Sequence, residues 1–288
     1  MKKNVQLSDG SSLEVSLTGQ ASGKVIMLPA AKKSVYGQEA ESLKLWGVDP
    51  EAGKHFIEGL SDTFQVLAFD YEGHLFQHPR PNSLTPNNIV ADLLQIADAL
   101  NVDKFSYYGY SWLAMVGLQL AMRTDRLESL IMGGYPPYEG PYREMMIVTC
   151  KTYDLALESQ KAPHCEQAAP TEPEQVDWDN IQVQINPDQT KQFVTMYASL
   201  KNFDDKAVQD LVTIPKLAFA GEQDSIVYGN KFGGVTVDII GLLRKNKALL
   251  EQLGWDVVVL TGDDMDHTKA MQPATALPLI KPWLADRL

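Results

Sequence analysis

The chain has 288 residues, 44 % hydrophobic and 22 % charged, so its length and composition fit one large globular domain or a domain with an insertion. Its formal net charge of -12 disfavours binding to nucleic-acid phosphates and anionic membranes. The N-terminal stretch lacks the apolar segment of a signal peptide, and no run reaches the ~18 apolar residues of a membrane span. The two cysteines, Cys150 and Cys165, form no disulfide framework, although one bridge between them stays open. We therefore expect a cytoplasmic monomer or homodimer.

The predicted strands begin with a β-hairpin, because apolar and polar residues alternate on both sides of Asp9-Gly10. Short and mostly continuous apolar runs then recur, which is typical of parallel strands buried on both faces. These runs occupy residues 25–28, 65–69, 104–109, 127–134, 216–221 and 256–260.

Helical patterns separate the apolar runs. Residues 84–100 carry an apolar stripe, with Thr85 as the predicted N-cap before Pro86. Residues 111–123 are apolar almost all round, which predicts a buried helix. The alternation of strands and helices predicts an α/β fold, with a mostly parallel central sheet and helices on both faces.

Two further segments are less regular. Residues 35–60 form an insertion that ends in a helix. The C-terminal segment predicts only a weak helix, because Pro278 and Pro282 interrupt its pattern.

Residues 135–212 contain no convincing strand and break the alternation. Two apolar helical stripes flank a loop rich in proline and acidic residues, and their members are Tyr142, Met146, Cys150, Tyr153 and Leu157, then Phe193, Met196, Tyr197 and Leu200. This pattern predicts a helical cap over residues 135–212. The core is then formed by residues 1–134 and 213–288.

Ser111 stands in the sequence GYSWL, between a predicted buried strand and a predicted buried helix. A sharp strand-to-helix turn at this point would strain the serine and expose its side chain above the sheet edge, as a nucleophile requires. The N–H of Trp112 would then be an oxyanion donor at the helix N-terminus. The alternative is an ordinary serine that caps a buried helix.

A serine nucleophile needs a base and a carboxylate that orients the base. Of the five histidines, His55 falls on a surface helix, His164 in the acidic loop, and His74 and His78 after the second parallel strand. His267 follows the last strand, and Asp224 follows the strand before it. Both therefore lie at the carboxyl edge of the sheet, where α/β active sites gather.

The chain resembles the α/β-hydrolase superfamily over nearly its whole length. The GYS turn resembles the nucleophile elbow, GEQD the loop of the catalytic acid, and DHTKAMQP the histidine loop. DYEGH resembles a stretch that is usually structural, and the helical insertion stands where the family carries its cap. The resemblance implies that Ser111 is the nucleophile, His267 the general base and acid, and Asp224 the orienting carboxylate.

The elbow and the oxyanion strand depart from the family pattern. Leu113 and Ala114 replace the usual glycines, and LPAAKKS replaces the usual histidine-glycine. We expect Leu113 to point away from the turn and pack beneath the site. The second oxyanion donor is then the N–H of Ala31, with Ala30 as the alternative.

Residues close to these motifs along the chain are predicted to line the substrate pocket, namely Ala30, Tyr36, Tyr110, Tyr135 and Tyr138. Each of the four tyrosines could equally well be an ordinary packing residue of the core or the cap. His74 and His78 have the spacing of a helical metal pair, but Gly73 and Pro79 argue against a helix. The aspartates at positions 263, 264 and 266 predict a solvated loop. No phosphate-binding glycine motif occurs, so no cofactor is predicted. Because neither the histidine pair nor the aspartates indicate a metal site, no metal is predicted.

These features predict a serine hydrolase, esterase-like, that cleaves a small ester, lactone or thioester. The same three residues also serve carbon–carbon bond hydrolysis or peracid formation. A serine in place of aspartate argues against the dehalogenase and epoxide-hydrolase branches. A ligand-binding relative with weak catalysis remains a further alternative, because the fold is reused for such proteins.

Overall fold

A computed structural model describes residues 1–161 and 186–288 of the chain. Eight strands form one sheet, in the order β1-β2-β4-β3-β5-β6-β7-β10, and a two-stranded hairpin of β8 and β9 stands apart from it. The strands are β1 (Lys2–Gln6), β2 (Ser12–Gly19), β3 (Val25–Leu28), β4 (Gln65–Ala68), β5 (Phe105–Tyr110), β6 (Leu127–Gly133), β7 (Lys216–Gly221), β8 (Ser225–Val227), β9 (Thr236–Asp238) and β10 (Trp255–Leu260).

The sheet is mostly parallel, as the apolar runs predict. From β4 through β10 each neighbouring pair is parallel, whereas β2 pairs antiparallel with both β1 and β4. Every predicted strand and the N-terminal hairpin are confirmed, and no end of a predicted parallel strand differs from the observed end by more than one residue. The parallel strands end at one edge, which is where Ser111, Asp224 and His267 follow their strands.

Helices cover both faces of the sheet and enclose two hydrophobic cores. The helices are α1 (Gln38–Leu45), α2 (Ala52–Ser61), α3 (Tyr71–Gln77), α4 (Pro86–Ala99), α5 (Trp112–Ala121), α6 (Tyr142–Ser159), α7 (Pro187–Ser199), α8 (Ile239–Gln252), α9 (His267–Ala270) and α10 (Pro273–Arg287). Buried side chains of α4, α5 and α8 pack in one core, and those of α2 and α10 pack in the other. The predicted N-cap is confirmed, since the Thr85 hydroxyl accepts from the Asn88 N–H.

The C-terminal helix is more regular than its prolines predict. Pro278 and Pro282 both lie inside α10, where each lacks a backbone donor. Ala276, Ile280 and Leu284 form a fully buried stripe at intervals of four residues along this helix. Burial of this stripe against the sheet outweighs the two lost hydrogen bonds, so tertiary packing overrides the local preference.

A helix also forms where the sequence argues against one. Residues 71–77 are helical, and His74 lies within α3 while His78 is its C-cap. Asp70 supplies the N-cap, because its side chain accepts from the Gly73 N–H at 2.8 Å. A cap of this kind makes a glycine in the first turn harmless, and Pro79 follows the helix rather than interrupting it.

Helices α6 and α7 lie between β6 and β7, in the segment for which the sequence predicts a cap. His164 and Cys165 fall in residues 162–185, so their placement and any bridge to Cys150 lie outside the described residues. Within the described ranges, no helix is both long enough and apolar enough to cross a membrane.

The crossing of α5 over β5 explains how the elbow accommodates Leu113. A Cβ on Gly109 would stand 2.4 Å from the Leu113 carbonyl oxygen, so the backbone of Leu113, and not its side chain, makes the close approach. The Tyr107 hydroxyl donates to this carbonyl at 2.9 Å. The Leu113 side chain is 3 % exposed and belongs to the core beneath α5. The Leu113 side chain is therefore buried in the core, as the sequence predicts, and does not crowd the turn.

We therefore predict that Leu113→Ala lowers the free energy of unfolding by about 2–5 kcal/mol, because it leaves a cavity in the core. Chemical denaturation followed by circular dichroism measures the change. Leu211→Ala is the matched control, since that leucine is 62 % exposed and its loss should change stability by less than about 0.5 kcal/mol. Equal effects in the two variants would show that Leu113 has no packing role.

Candidate active site

Ser111 occupies a strained turn between β5 and α5. Its backbone has φ 56° and ψ −131°, a conformation that residues with a Cβ rarely adopt. The Ser111 N–H donates to the Gly133 carbonyl at 2.8 Å, which ties the turn to the neighbouring strand. The side chain makes no capping hydrogen bond to α5. The geometry is therefore that of the sharp strand-to-helix turn that the sequence predicts, and the Ser111 side chain does not cap the helix.

His267 and Asp224 form a hydrogen-bonded pair at the same edge of the sheet. The His267 Nδ1 lies 2.9 Å and 3.1 Å from the two carboxylate oxygens of Asp224. Asp224 is 0 % exposed and follows β7, and its carbonyl oxygen accepts from the Ile240 N–H. A buried carboxylate at Nδ1 favours the tautomer with a proton on Nδ1, which leaves Nε2 as an acceptor.

Two neighbours hold the histidine ring in place. The Tyr110 hydroxyl donates to the His267 carbonyl oxygen at 2.9 Å, and the two rings stand 5.0 Å apart. Burial raises the pKa of Tyr110, and the charge of Asp224 raises it further, so the phenol stays a neutral donor. Gly134 has φ 62°, and a Cβ there would stand 2.9 Å from the His267 ring. Glycine at this position therefore leaves room for the imidazole.

Ser111 and His267 line one cavity of about 220 Å³. Its other walls come from α5, the segment after β6, helices α6 and α7, the hairpin and α8, and the residues are Trp112, Gly134, Tyr135, Pro141, Met145, Tyr197, Ile226, Tyr228, Val237 and Ile239. None of these described lining residues carries a formal charge. The cavity is thus lined mostly by apolar and aromatic side chains, together with one serine and one histidine.

The structure does not support Ala31 as the second oxyanion donor. Its N–H donates to the Phe69 carbonyl at 3.1 Å, and the Tyr71 N–H donates to the Pro29 carbonyl at 2.9 Å. These two bonds flank an isolated antiparallel bridge between Ala30 and Asp70. In such a pair the bridged residues turn their own N–H groups away from each other. The Ala30 N–H therefore faces away from β4, toward the side of β3 on which β5 and Ser111 lie.

The backbone N–H of Trp112 stays a predicted oxyanion donor. Trp112 is the first residue of α5, and the first N–H groups of a helix have no acceptor within that helix. They point along the helix axis toward its N-terminus, which is where Ser111 stands. An anion that forms beside the serine would meet this donor and the positive end of the helix dipole.

Only one of the five predicted pocket residues lines the cavity, and that residue is Tyr135. Tyr110 packs behind His267, and Tyr36 is 70 % exposed with its hydroxyl on Glu51. Tyr138 lies under the ammonium group of Lys206. Ala30 does not line the cavity either, and stands at the bridge to Asp70, so only its backbone N–H stays a candidate for contact with substrate. The three tyrosine corrections share one cause, since closeness to a motif along the chain does not determine which way a side chain points.

The other described histidines have partners away from this cavity. His55 Nδ1 bonds the Asp49 carboxylate at 2.5 Å, and His74 Nε2 lies 2.8 Å from the Ser11 hydroxyl. The His78 ring packs against that of His74 at 4.8 Å. Across residues 1–161 and 186–288, no cluster of three or more histidine, cysteine or acidic side chains is arranged to hold a metal ion.

The cavity walls that sequence reasoning missed come from elements distant along the chain. Met145 of α6 falls outside the predicted apolar stripe, and Tyr197 of α7 is part of a stripe that indicates only core packing. Ile226, Tyr228 and Val237 belong to the β8–β9 hairpin and its loop. The short hairpin carries no strong strand signal, so nothing in the sequence marks these residues as a wall.

Comparison with known sequences gives one limited match. No protein-family model matches the chain. The chain is 33 % identical over 76 residues to the putative carbamate hydrolase RutD of Agrobacterium fabrum. This match covers 25 % of the chain and 28 % of RutD. The chain therefore spans little more than a quarter of that relative's length.

Comparison with solved structures gives matches over almost the whole chain. A hydrolase from Pseudomonas aeruginosa has a TM-score of 0.58 at 18 % identity, with 98 % of each chain covered. The enol-lactonase from Burkholderia xenovorans has a TM-score of 0.57 at 18 % identity, covering 98 % of this chain and 100 % of its own. MGS-M2, an α/β hydrolase enzyme from a deep-sea metagenome library, has a TM-score of 0.62 at 14 % identity, covering 98 % and 97 %. Together with the strand order and the elbow, these likenesses show that the chain has the α/β-hydrolase fold.

Proposed function

We propose that the protein is a serine hydrolase that cleaves a small ester, lactone or thioester. The observation that carries this proposal is the meeting of a strained serine and a carboxylate-bound histidine in one apolar cavity. A serine that only caps a helix needs neither the strain nor the buried partner pair. Strain of this kind persists where function requires the exposed side chain.

In the proposed reaction, Ser111 Oγ attacks the acyl carbon while His267 Nε2 takes its proton. Asp224 holds the imidazole by Nδ1 and stabilises the imidazolium that forms. The amide N–H groups of Trp112 and Ala30 receive the developing oxyanion. His267 then protonates the leaving group. Water activated by the same histidine hydrolyses the acyl-enzyme and releases the acid.

The size and the lining of the cavity support a small and uncharged substrate. Its volume of about 220 Å³ is below the ~300–1,000 Å³ of pockets that enclose drug-sized ligands. The described lining offers no lysine or arginine to pair with a carboxylate or a phosphate on the substrate. Burying such a group without a partner would be costly, so a neutral acyl group is favoured.

Helices α6 and α7 are the proposed lid of this site, within the segment 135–212. Met145 of α6 and Tyr197 of α7 both line the cavity that Ser111 and His267 also line. A lid of this kind excludes water from the serine and sets the length of the acyl group.

Two of the similar proteins are named an enol-lactonase and a putative carbamate hydrolase, and a lactone and a carbamate each contain a carbonyl carbon that a nucleophile can attack. Such reactions are compatible with the nucleophile, base and amide donors proposed for this chain. Carbon–carbon bond hydrolysis and peracid formation use the same groups, but no described feature of the cavity favours either one.

Hydrolysis of a series of p-nitrophenyl esters tests the proposal. We expect kcat/KM to be greatest for acetate to butyrate and to fall at least ~10-fold at octanoate, because each further methylene must find room in the small cavity. Absence of hydrolysis across the series, with folded protein, would contradict the proposed function.

Met145→Ala should shift this preference, because it removes a side chain from the wall of the lid. We expect kcat/KM for octanoate to rise relative to butyrate by about 10-fold. Met146→Ala is the matched control, since Met146 is the neighbouring methionine on α6 and does not line the cavity. An unchanged ratio in Met145→Ala would exclude that side chain as the limit on acyl length.

A further inference from the structure

Glu72 of α3 holds a position that the proposed reaction does not use. Its carboxylate oxygen Oε1 accepts from the indole Nε1–H of Trp112 at 2.7 Å. The other oxygen, Oε2, pairs with the Lys32 ammonium at 2.8 Å. The Glu72 side chain is 23 % exposed and that of Lys32 is 56 % exposed, so one partly buried carboxylate joins a tryptophan to a surface lysine.

The two partners of Glu72 flank the two proposed oxyanion donors. Trp112 follows Ser111, and its own backbone N–H is the first donor. Lys32 stands two residues after Ala30, whose N–H is the second donor, and the Lys32 N–H donates to the Ala30 carbonyl at 2.9 Å. Glu72 therefore links α5 to the loop after β3, and so links both sides of the oxyanion site.

The position of Glu72 is itself fixed by the backbone around it. Tyr71, the residue before it, donates its N–H to the Pro29 carbonyl at 2.9 Å, and Asp70 caps α3. Asp70 is also the bridge partner of Ala30. On the other side, the Trp112 indole packs edge-on against Phe193 of α7 at 5.4 Å. The carboxylate thus sits between two elements that are each held independently.

An exposed lysine–glutamate pair alone would carry little weight. The indole bond differs because its acceptor is charged and its donor is half-buried, which makes the bond short and directional. The neighbouring carboxylate also affects the lysine. Partial desolvation lowers the pKa of Lys32, but the charge of Glu72, its hydrogen bond to the ammonium and the charge of Asp70 together raise this pKa by more, so the ammonium stays charged.

We propose that Glu72 is a positioning residue. It fixes the relative positions of the Trp112 and Ala30 amides, so that both N–H groups donate to the same oxyanion. The proposal rests on the proposed hydrolase function. Donors stabilise a developing oxyanion fully only when they are already oriented before the charge forms. Without the carboxylate bridge, the loop after β3 and the start of α5 lose their direct side-chain link, and the two donors must be aligned during the reaction.

Two substitutions separate the parts of the bridge. Glu72→Gln keeps an oxygen acceptor for the indole but removes the ion pair with Lys32, whereas Glu72→Leu removes both. We expect kcat for p-nitrophenyl butyrate to fall about 10-fold in Glu72→Gln and about 100-fold in Glu72→Leu, which stays within the ~10²–10³ lost when an oxyanion donor is deleted. KM should change less than ~3-fold, because the ground-state contacts of the acyl group are untouched.

The inhibition constant of an alkyl trifluoromethyl ketone gives a second readout, because this probe forms a tetrahedral oxyanion adduct with the serine. It should rise in proportion to the loss of kcat/KM, as expected for a mimic of the transition state. If Glu72 had a purely structural role, its loss would lower the fraction of active enzyme, measured by active-site titration. The kcat and the inhibition constant of the remaining active enzyme would then be unchanged.

Glu51→Gln is the matched control. Glu51 also bridges an aromatic side chain and a lysine, since it accepts from the Tyr36 hydroxyl at 3.2 Å and from Lys54 at 3.0 Å, but it lies away from the cavity. Its kinetic constants should equal those of the wild type. Wild-type kcat and inhibition constant in both Glu72 variants would overturn the positioning role while leaving the hydrolase intact. A wild type without any hydrolysis would overturn both proposals.

Discussion

Ser111→Ala should lower kcat by at least ~10⁴-fold while the protein remains folded. The loss is expected because the proposed acyl-enzyme cannot form without the hydroxyl. The fold should persist because the Ser111 side chain makes no capping hydrogen bond to α5. Ester hydrolysis and thermal unfolding, measured on the same preparation, test both halves of the prediction.

Ser111→Gly adds an independent check on the strain at this turn. A glycine tolerates φ 56° without penalty, so the variant should be as inactive as Ser111→Ala and yet more stable than it by about 1 kcal/mol. Ser225→Ala is the control, since Ser225 is an exposed serine of the nearby hairpin. Substantial activity in Ser111→Ala, with the control active, would rule out Ser111 as the nucleophile.

The second large effect is expected for Asp224→Asn, which should lower kcat by at least ~100-fold. The amide group of asparagine can donate to Nδ1 and so favour the wrong imidazole tautomer, in which Nε2 carries the proton and cannot act as a base. KM should change little, because Asp224 does not line the cavity. Steady-state hydrolysis of p-nitrophenyl butyrate measures both constants.

Asp263→Asn is the matched control, because Asp263 is an exposed aspartate in the loop that precedes His267. The double variant Ser111→Ala/Asp224→Asn should be no slower than Ser111→Ala alone, because residues that act as a unit do not contribute additively. Multiplicative losses in the double variant would indicate that the two residues act in separate steps.

The residues of the candidate site could be predicted because each follows a strand of strong apolar character. Six buried runs predict the parallel sheet, and the carboxyl ends of its strands lie at one edge. Ser111, Asp224 and His267 are all close behind such ends, so their meeting depends only on the sheet order. The bond between His267 and Asp224 is the observed result.

The cavity walls could not be predicted, because they depend on how distant elements pack. Tyr197 and Tyr228 come from a helix and a hairpin loop that share no local pattern. The oxyanion strand shows a similar limit, since a bridge to Asp70 decides whether the amide of Ala30 or that of Ala31 is engaged. Packing likewise makes α10 continuous through its prolines, because its buried stripe outweighs their local cost.

Covalent labelling with a fluorophosphonate, followed by intact mass measurement and peptide mapping, tests directly whether Ser111 is the nucleophile. We expect a single adduct per chain, located on Ser111, and loss of ester hydrolysis in step with labelling. Labelling should be strongly slowed in His267→Ala, which removes the base that activates the serine. An unlabelled Ser111 in folded protein, or full hydrolytic activity after its complete labelling, would show that Ser111 is not the nucleophile.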